Sequence, residues 1–198
     1  MSRGKAMVLL LVMSGAVLFW HNRNDIDAYT GPTSSAGSPQ EVLLPPTSDS
    51  YTVIGEVTGI KNFVVKYDND FYRGGEPVSE EGMEYLKNQG IKTIITITPN
   101  QLEEELSAQY GINLVSLEFT KKTLNKDVLD QYFDILNKYD KPWYVHCHGG
   151  THRGGVLGAA YRLKVLRWDW NRSIIEYGML GGSLKDDYCM LEILKNHK

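Results

Sequence analysis

Cys147 and Arg153 stand six residues apart in the string His146-Cys147-His148-Gly149-Gly150-Thr151-His152-Arg153. A cysteine thiolate is both a strong nucleophile and a competent leaving group. An arginine presents a planar fork of N–H donors that fits two oxygens of one phosphate. The short stretch between them lets the chain curl and bring the guanidinium back over the sulfur. Gly150 allows the backbone itself to approach an anion closely. A strand running through such a loop into a helix turns backbone N–H groups inward and adds the positive potential of the helix N-terminus. The same field favours a thiolate at Cys147. The predicted chemistry is anion binding beside an activated sulfur nucleophile.

The elements that must hold this loop are legible as alternating periodicities. Trp143-Tyr144-Val145-His146 predicts the strand before it, and Gly155–Leu166 the helix after it. Upstream, Phe63–Tyr67 reads as a short strand, and Asn69-Asp70 makes a turn before Phe71-Tyr72-Arg73. A helix starts at Pro77 and Ser79, with Glu80 and Glu81 in its first turn and Gly90 as its stop. Ile91–Ile97 is short and β-branched, a buried strand. Leu102–Tyr110 is a helix ended by Gly111, and Ile112–Leu117 another strand. Lys126–Tyr139 places Val128, Leu129, Tyr132, Phe133, Ile135 and Leu136 at helical spacing. Trp170–Met179 begins a final helix. This alternation predicts an α/β fold with a central, mostly parallel sheet flanked by helices.

Ahead of this lie two different kinds of sequence. Arg3 and Lys5 precede fifteen uncharged residues, Ala6–Trp20, closing on two aromatic side chains. The pattern predicts an N-terminal hydrophobic helix in residues 1–24, acting as a retained signal anchor, with a cleaved signal peptide as the alternative. Arg3 and Lys5 then lie in the cytoplasm and the rest of the chain across the membrane, in the periplasm if the source is bacterial. Cleavage would instead leave a soluble periplasmic or secreted protein. Residues 25–50 are rich in Ser, Thr, Pro and Gly and read as a flexible linker. The folded domain is expected over 51–198.

Composition excludes several classes. The net charge of −3 gives no basic field for nucleic acid. The two cysteines, Cys147 and Cys189, make no disulfide framework, and although His146, His148 and His152 surround Cys147, no second cluster with metal-ligand spacing appears elsewhere. No metal and no cofactor is expected. Cys189 reads as a small buried apolar residue.

The loop matches H-C-x-x-G-x-x-R and resembles that of the protein tyrosine and dual-specificity phosphatase superfamily. Phe71-Tyr72-Arg73-Gly74-Gly75-Glu76-Pro77 and Gly90–Ile95 resemble the opening segment and next strand of bacterial and plant/fungal atypical dual-specificity phosphatases. The resemblance covers about 60–182 and implies a catalytic domain at 51–198. It implies a cysteinyl-phosphate intermediate formed on Cys147, with Arg153 and the amides of His148, Gly149, Gly150, Thr151 and His152 holding the phosphate. The implied substrate is a phosphorylated protein or a membrane-proximal phospholipid. Two departures stand out. Gly154 replaces the Ser or Thr that usually follows the arginine and supports the leaving thiolate. The general acid, usually an Asp about 30 residues upstream, has Asp127 and Glu118 as candidates, and Asp127 also fits a helix N-terminal charge.

These departures keep a second reading open, a catalytically weak phosphate-binding module. A sulfur-transfer or arsenate-type enzyme is disfavoured by the Gly150/Arg153 spacing. His146 is expected to orient the loop. Arg73 reads as a surface or structural ion pair, with reach to the site as the alternative, and Glu103-Glu104-Glu105 as a solvated helix face. The absence of lysine from the loop argues against highly phosphorylated inositols.

Overall fold

The computed structural model describes residues 50–197. Six strands form one sheet: β1 (Thr52–Val57), β2 (Ile60–Lys66), β3 (Phe71–Gly74), β4 (Thr93–Thr96), β5 (Asn113–Ser116) and β6 (Trp143–His146). Their spatial order is β1-β2-β3-β6-β4-β5. β3, β6, β4 and β5 run parallel, whereas β1 and β2 add antiparallel at one edge. The sheet is therefore mixed, because the tight turn between β1 and β2, with Gly59 at φ 79°, returns the chain beside itself instead of through a helix. The predicted N-terminal helix of residues 1–24, and all of the predicted linker 25–50 except Ser50, lie outside the described residues.

Six helices cover the sheet: α1 (Glu80–Asn88), α2 (Gln101–Tyr110), α3 (Lys126–Lys138), α4 (Arg153–Lys164), α5 (Trp170–Met179) and α6 (Tyr188–Asn196). Successive strand residues point to opposite faces. Tyr72, Ile94 and Tyr144 pack with Met83, Leu86 and Leu106 of α1 and α2 on one face. Phe71, Ile95 and Val145 pack with Leu129, Tyr132, Val156, Tyr177 and Leu191 of the other four helices. This explains why the central strands read as unbroken apolar runs instead of alternating ones. Helix ends carry local signals: Asn100 and Asn125 accept from the N–H groups of Glu103 and Val128, and Gly111 closes α2 at φ 63°.

β1 and α6 are absent from the sequence reading. β1 is an exposed edge strand with Gly55 in its middle, so it carries little periodic signal. α6 follows a polar turn and contributes Met190, Leu191 and Leu194 to the core. Cys189, in its first turn, is exposed, because the buried stripe of α6 falls on its neighbours. The expectation of a buried Cys189 is corrected accordingly.

Candidate active site

β6 lies at the centre of the sheet, with Gly74 of β3 and Thr96 of β4 flanking His146 at its C-terminal end. Beyond the carboxyl ends of parallel strands is where open α/β sheets bind ligands. Residues 147–152 occupy that place and lead directly into α4. Cys147 is only 4% exposed. Gly150 has φ 77°, and a Cβ there would lie 2.3 Å from the Gly74 carbonyl, so both conformation and space require glycine.

Four consecutive loop carbonyls are held from outside the loop. The Glu76 N–H donates to His148 O at 3.2 Å. Asn62 Nδ2 donates to Gly149 O at 3.0 Å. Arg73 Nη1 donates to Gly150 O at 2.7 Å and to Thr151 O at 3.2 Å. The only cis peptide bond among the described residues is Lys141-Pro142. In a trans peptide the N–H points opposite to the C=O of the same unit. The N–H groups of Gly149, Gly150, Thr151 and His152 are thereby turned away from the outer scaffold and toward the loop interior. The segment 62–76 is thus the mould of the loop. Arg73 is fully buried and binds carbonyls, which corrects its reading as an ion pair.

Arg153 begins α4, and its Nη1 donates to the Phe119 carbonyl at 3.1 Å. The connection between β5 and α3 therefore reaches the loop through Phe119. Glu118, beside it, is exposed and accepts from Ser116 Oγ. Asp127 is exposed in the first turn of α3, and no hydrogen bond or ion pair ties it to the loop.

Behind Cys147, His146 Nε2 faces Glu103 Oε1 at 2.5 Å, both side chains being inaccessible to solvent. His146 Nδ1 faces the Cys147 carbonyl at 3.4 Å. Glu103 is thus no solvated residue: the N-cap of α2 turns it under the sheet end while Glu104 and Glu105 remain exposed. No signal in a run of three glutamates distinguishes the inward one before α2 is docked.

Two carboxylates flank the loop. Glu76 accepts from Lys61 at 2.7 Å and from Asn100 at 2.6 Å, and faces His148 Nδ1 at 3.0 Å. Burial raises the Glu76 carboxyl, but the Lys61 hydrogen bond and charge outweigh it and hold it below the usual range. Asp187 lies 2.6 Å from Lys121 Nζ and 2.6 Å from His152 Nδ1, and accepts from the Tyr177 hydroxyl. Burial likewise raises Asp187, and the hydrogen bonds from Lys121, Tyr177 and His152 bring it below the ordinary value. The fold therefore brings Lys61 and Lys121 to a loop that has no lysine of its own. Among the described residues no group of His, Cys, Asp and Glu has the arrangement of a metal site.

A buried cysteine inside a ring of inward amides, with an arginine at the following helix start, fits a cysteine-dependent phosphatase of the dual-specificity and tyrosine type. The family model described as "DSP-PTPase phosphatase fused to NAD+ Kinase" matches residues 52–179, and the chain belongs to that phosphatase family. No curated protein sequence matches the chain. Among solved structures, TpbA of P. aeruginosa is similar at 18% identity and TM-score 0.62, over 76% of this chain and 92% of that one. The catalytic core of the PP-IP phosphatase SIW14 of S. cerevisiae is similar at 21% identity and TM-score 0.56, over 66% and 86%. PTPMT1 in complex with PI(5)P gives 18% identity and TM-score 0.52, over 65% and 92%.

Proposed function

We propose that the protein hydrolyses phosphate monoesters, of a phosphoprotein or a membrane-proximal phospholipid, through a cysteinyl-phosphate intermediate. The observation that carries this reading is the row of four outward-held carbonyls from His148 to Thr151 around buried Cys147. In the first step the Cys147 sulfur attacks phosphorus, an S–P bond forms, the ester P–O bond breaks, and the leaving oxygen takes a proton from an acid. Water then attacks phosphorus, the S–P bond breaks, and inorganic phosphate leaves. Arg153 and the amides of Gly149, Gly150, Thr151 and His152 stabilise the transferring group. His148 and His152, each beside a carboxylate, line its rim. Asp127 in the first turn of α3, Glu118 in the connection before it, or another group supplies this proton. A pH–rate profile in which neither Asp127→Asn nor Glu118→Gln loses its basic limb would rule both out.

Solved relatives carry phosphotyrosine, in TpbA, and a phosphoinositide, in PTPMT1, and SIW14 is named for inositol pyrophosphates. They support a phosphorylated substrate of one of these kinds. Purified protein is expected to hydrolyse an aryl phosphate, and Cys147→Ser to abolish it. Equal activity in the two proteins would sink the proposal.

A second reading, slow turnover with retained phosphate binding, rests on Gly154. A Cβ there would lie 3.8 Å from Cys147 Sγ, so this position offers no hydroxyl to the sulfur as it leaves. A burst of product followed by slow steady turnover supports it.

The N-terminal run 6–20 supports a membrane-tethered enzyme with its catalytic domain outside the cytoplasm. Among the described residues no helix is long and apolar enough to cross a membrane. Extraction of the full-length protein from membranes by carbonate would overturn the tether.

A further inference from the structure

Arg73 is the largest fully buried side chain beneath the loop and carries a charge that nothing adjacent neutralises. Arginine stays protonated inside proteins. Its Nη1 binds Gly150 O and Thr151 O, its Nη2 binds Leu180 O at 3.3 Å, and its Nε has no hydrogen-bond partner. It forms no ion pair among the described residues. Of the buried carboxylates on this side, Glu176 is held at 2.8 Å by a second buried guanidinium, Arg162, and Asp187 pairs with Lys121 and His152. The Tyr67 ring separates the two cations, 5.7 Å from Arg73 and 4.4 Å from Arg162. Arg73 thus has no carboxylate of its own. Burial raises the Glu176 carboxyl against the pull of both guanidiniums.

The surrounding sequence makes room for this arrangement. A Cβ on Gly155 would lie 2.8 Å from Arg73 Nη1, and one on Gly158 3.4 Å from Arg73 Cδ. These glycines cost α4 helix propensity. A buried cation that is expensive to desolvate is retained where an anion arrives to balance it.

We propose that Arg73 is a positioning residue for the phosphate: it pins the carbonyls of Gly150 and Thr151 outward, so that the next two N–H groups face the anion, and its unbalanced charge is completed by that anion. This rests on the phosphatase reading for the identity of the ligand, but its test does not depend on turnover. The bonds involved are charge-assisted, and each is worth enough to change affinity about tenfold.

Tungstate, an inert phosphate-like oxyanion, is titrated calorimetrically into the full-length protein and into Arg73→Lys and Arg73→Met. The thermal midpoint of each is measured without tungstate. Lysine keeps the charge but cannot reach three carbonyls, and methionine loses both. The expected result is a dissociation constant weaker by about tenfold for Arg73→Lys and about a hundredfold for Arg73→Met. A purely structural arginine would lower the midpoint and leave the tungstate affinity of the folded protein within twofold of wild type. That result overturns the proposal, as does a wild-type protein that binds no tungstate.

If the Arg73 variants do not fold, Asn62→Gly applies the same logic at an exposed position. Asn62 has φ 58°, which glycine tolerates, and its side chain pins only Gly149 O. About threefold weaker tungstate binding is expected, and unchanged binding overturns the mechanism. Wild-type tungstate binding without aryl-phosphate turnover would defeat the proposed function and leave this inference standing.

Discussion

Glu103 Oε1 lies 2.5 Å from His146 Nε2, and neither side chain reaches solvent. The pair sits behind Cys147, joining α2 to the C-terminal end of β6. Its second oxygen, Glu103 Oε2, has no hydrogen-bond partner. Breaking a buried pair by removing one member leaves the other polar group unsatisfied, at a cost of about 3 kcal/mol or more. Glu103→Ala is expected to lose about that much stability in urea unfolding. Glu103→Gln keeps the shape and one polar contact and should lose about 1 kcal/mol. Equal losses would refute the buried pair.

Gly154 invites a gain-of-function change. A Cβ there meets Cys147 N at 3.6 Å and Cys147 Sγ at 3.8 Å, which are ordinary contacts. Gly154→Ser therefore fits, and it places a hydroxyl within reach of the sulfur. It should also stabilise α4 by about 0.5 kcal/mol, as serine exceeds glycine in helix propensity. Rapid-quench kinetics should show a smaller burst and faster steady turnover of aryl phosphate. An unchanged burst would mean that intermediate breakdown is limited elsewhere.

Gly150 admits no side chain. Alanine would carry φ 77° and push its Cβ against Gly74 O at 2.3 Å. The left-handed conformation alone costs roughly 1–2 kcal/mol, before the clash. Gly150→Ala should unfold at lower temperature and lose tungstate binding. A variant with wild-type affinity would contradict the fit of the loop against β3.

Asp187 predicts the acid limb of stability. Its folded carboxyl lies below its ordinary value of 3.8 because the hydrogen bonds from Lys121, Tyr177 and His152 outweigh burial. A depressed folded value means the contribution is present above about pH 4. It is lost as the pH falls below 3.8, through the folded value. Unfolding free energy measured from pH 6 to pH 3 should fall less steeply in Asp187→Asn than in wild type. Parallel curves would show that Asp187 does not couple protonation to folding.

The sequence by itself determined the loop, its two reactive residues and the order of most elements. These are local facts: H-C-x-x-G-x-x-R is contiguous, the strand Trp143–His146 is an apolar run, and Gly111 marks a helix end where it acts. Only the tertiary structure decided what surrounds the loop. Arg73 lies 77 residues from Gly150 in the chain, and Glu103 lies 43 from His146. Nothing in their local composition distinguishes them from surface charges. Their roles arise because β3 docks parallel to β6 and the N-cap of α2 aims one of three glutamates inward. Lys61 and Lys121 reach the loop by the same long-range packing. Periodicity reports which face of an element is apolar, whereas the partner of a buried charge is fixed by strand order and register.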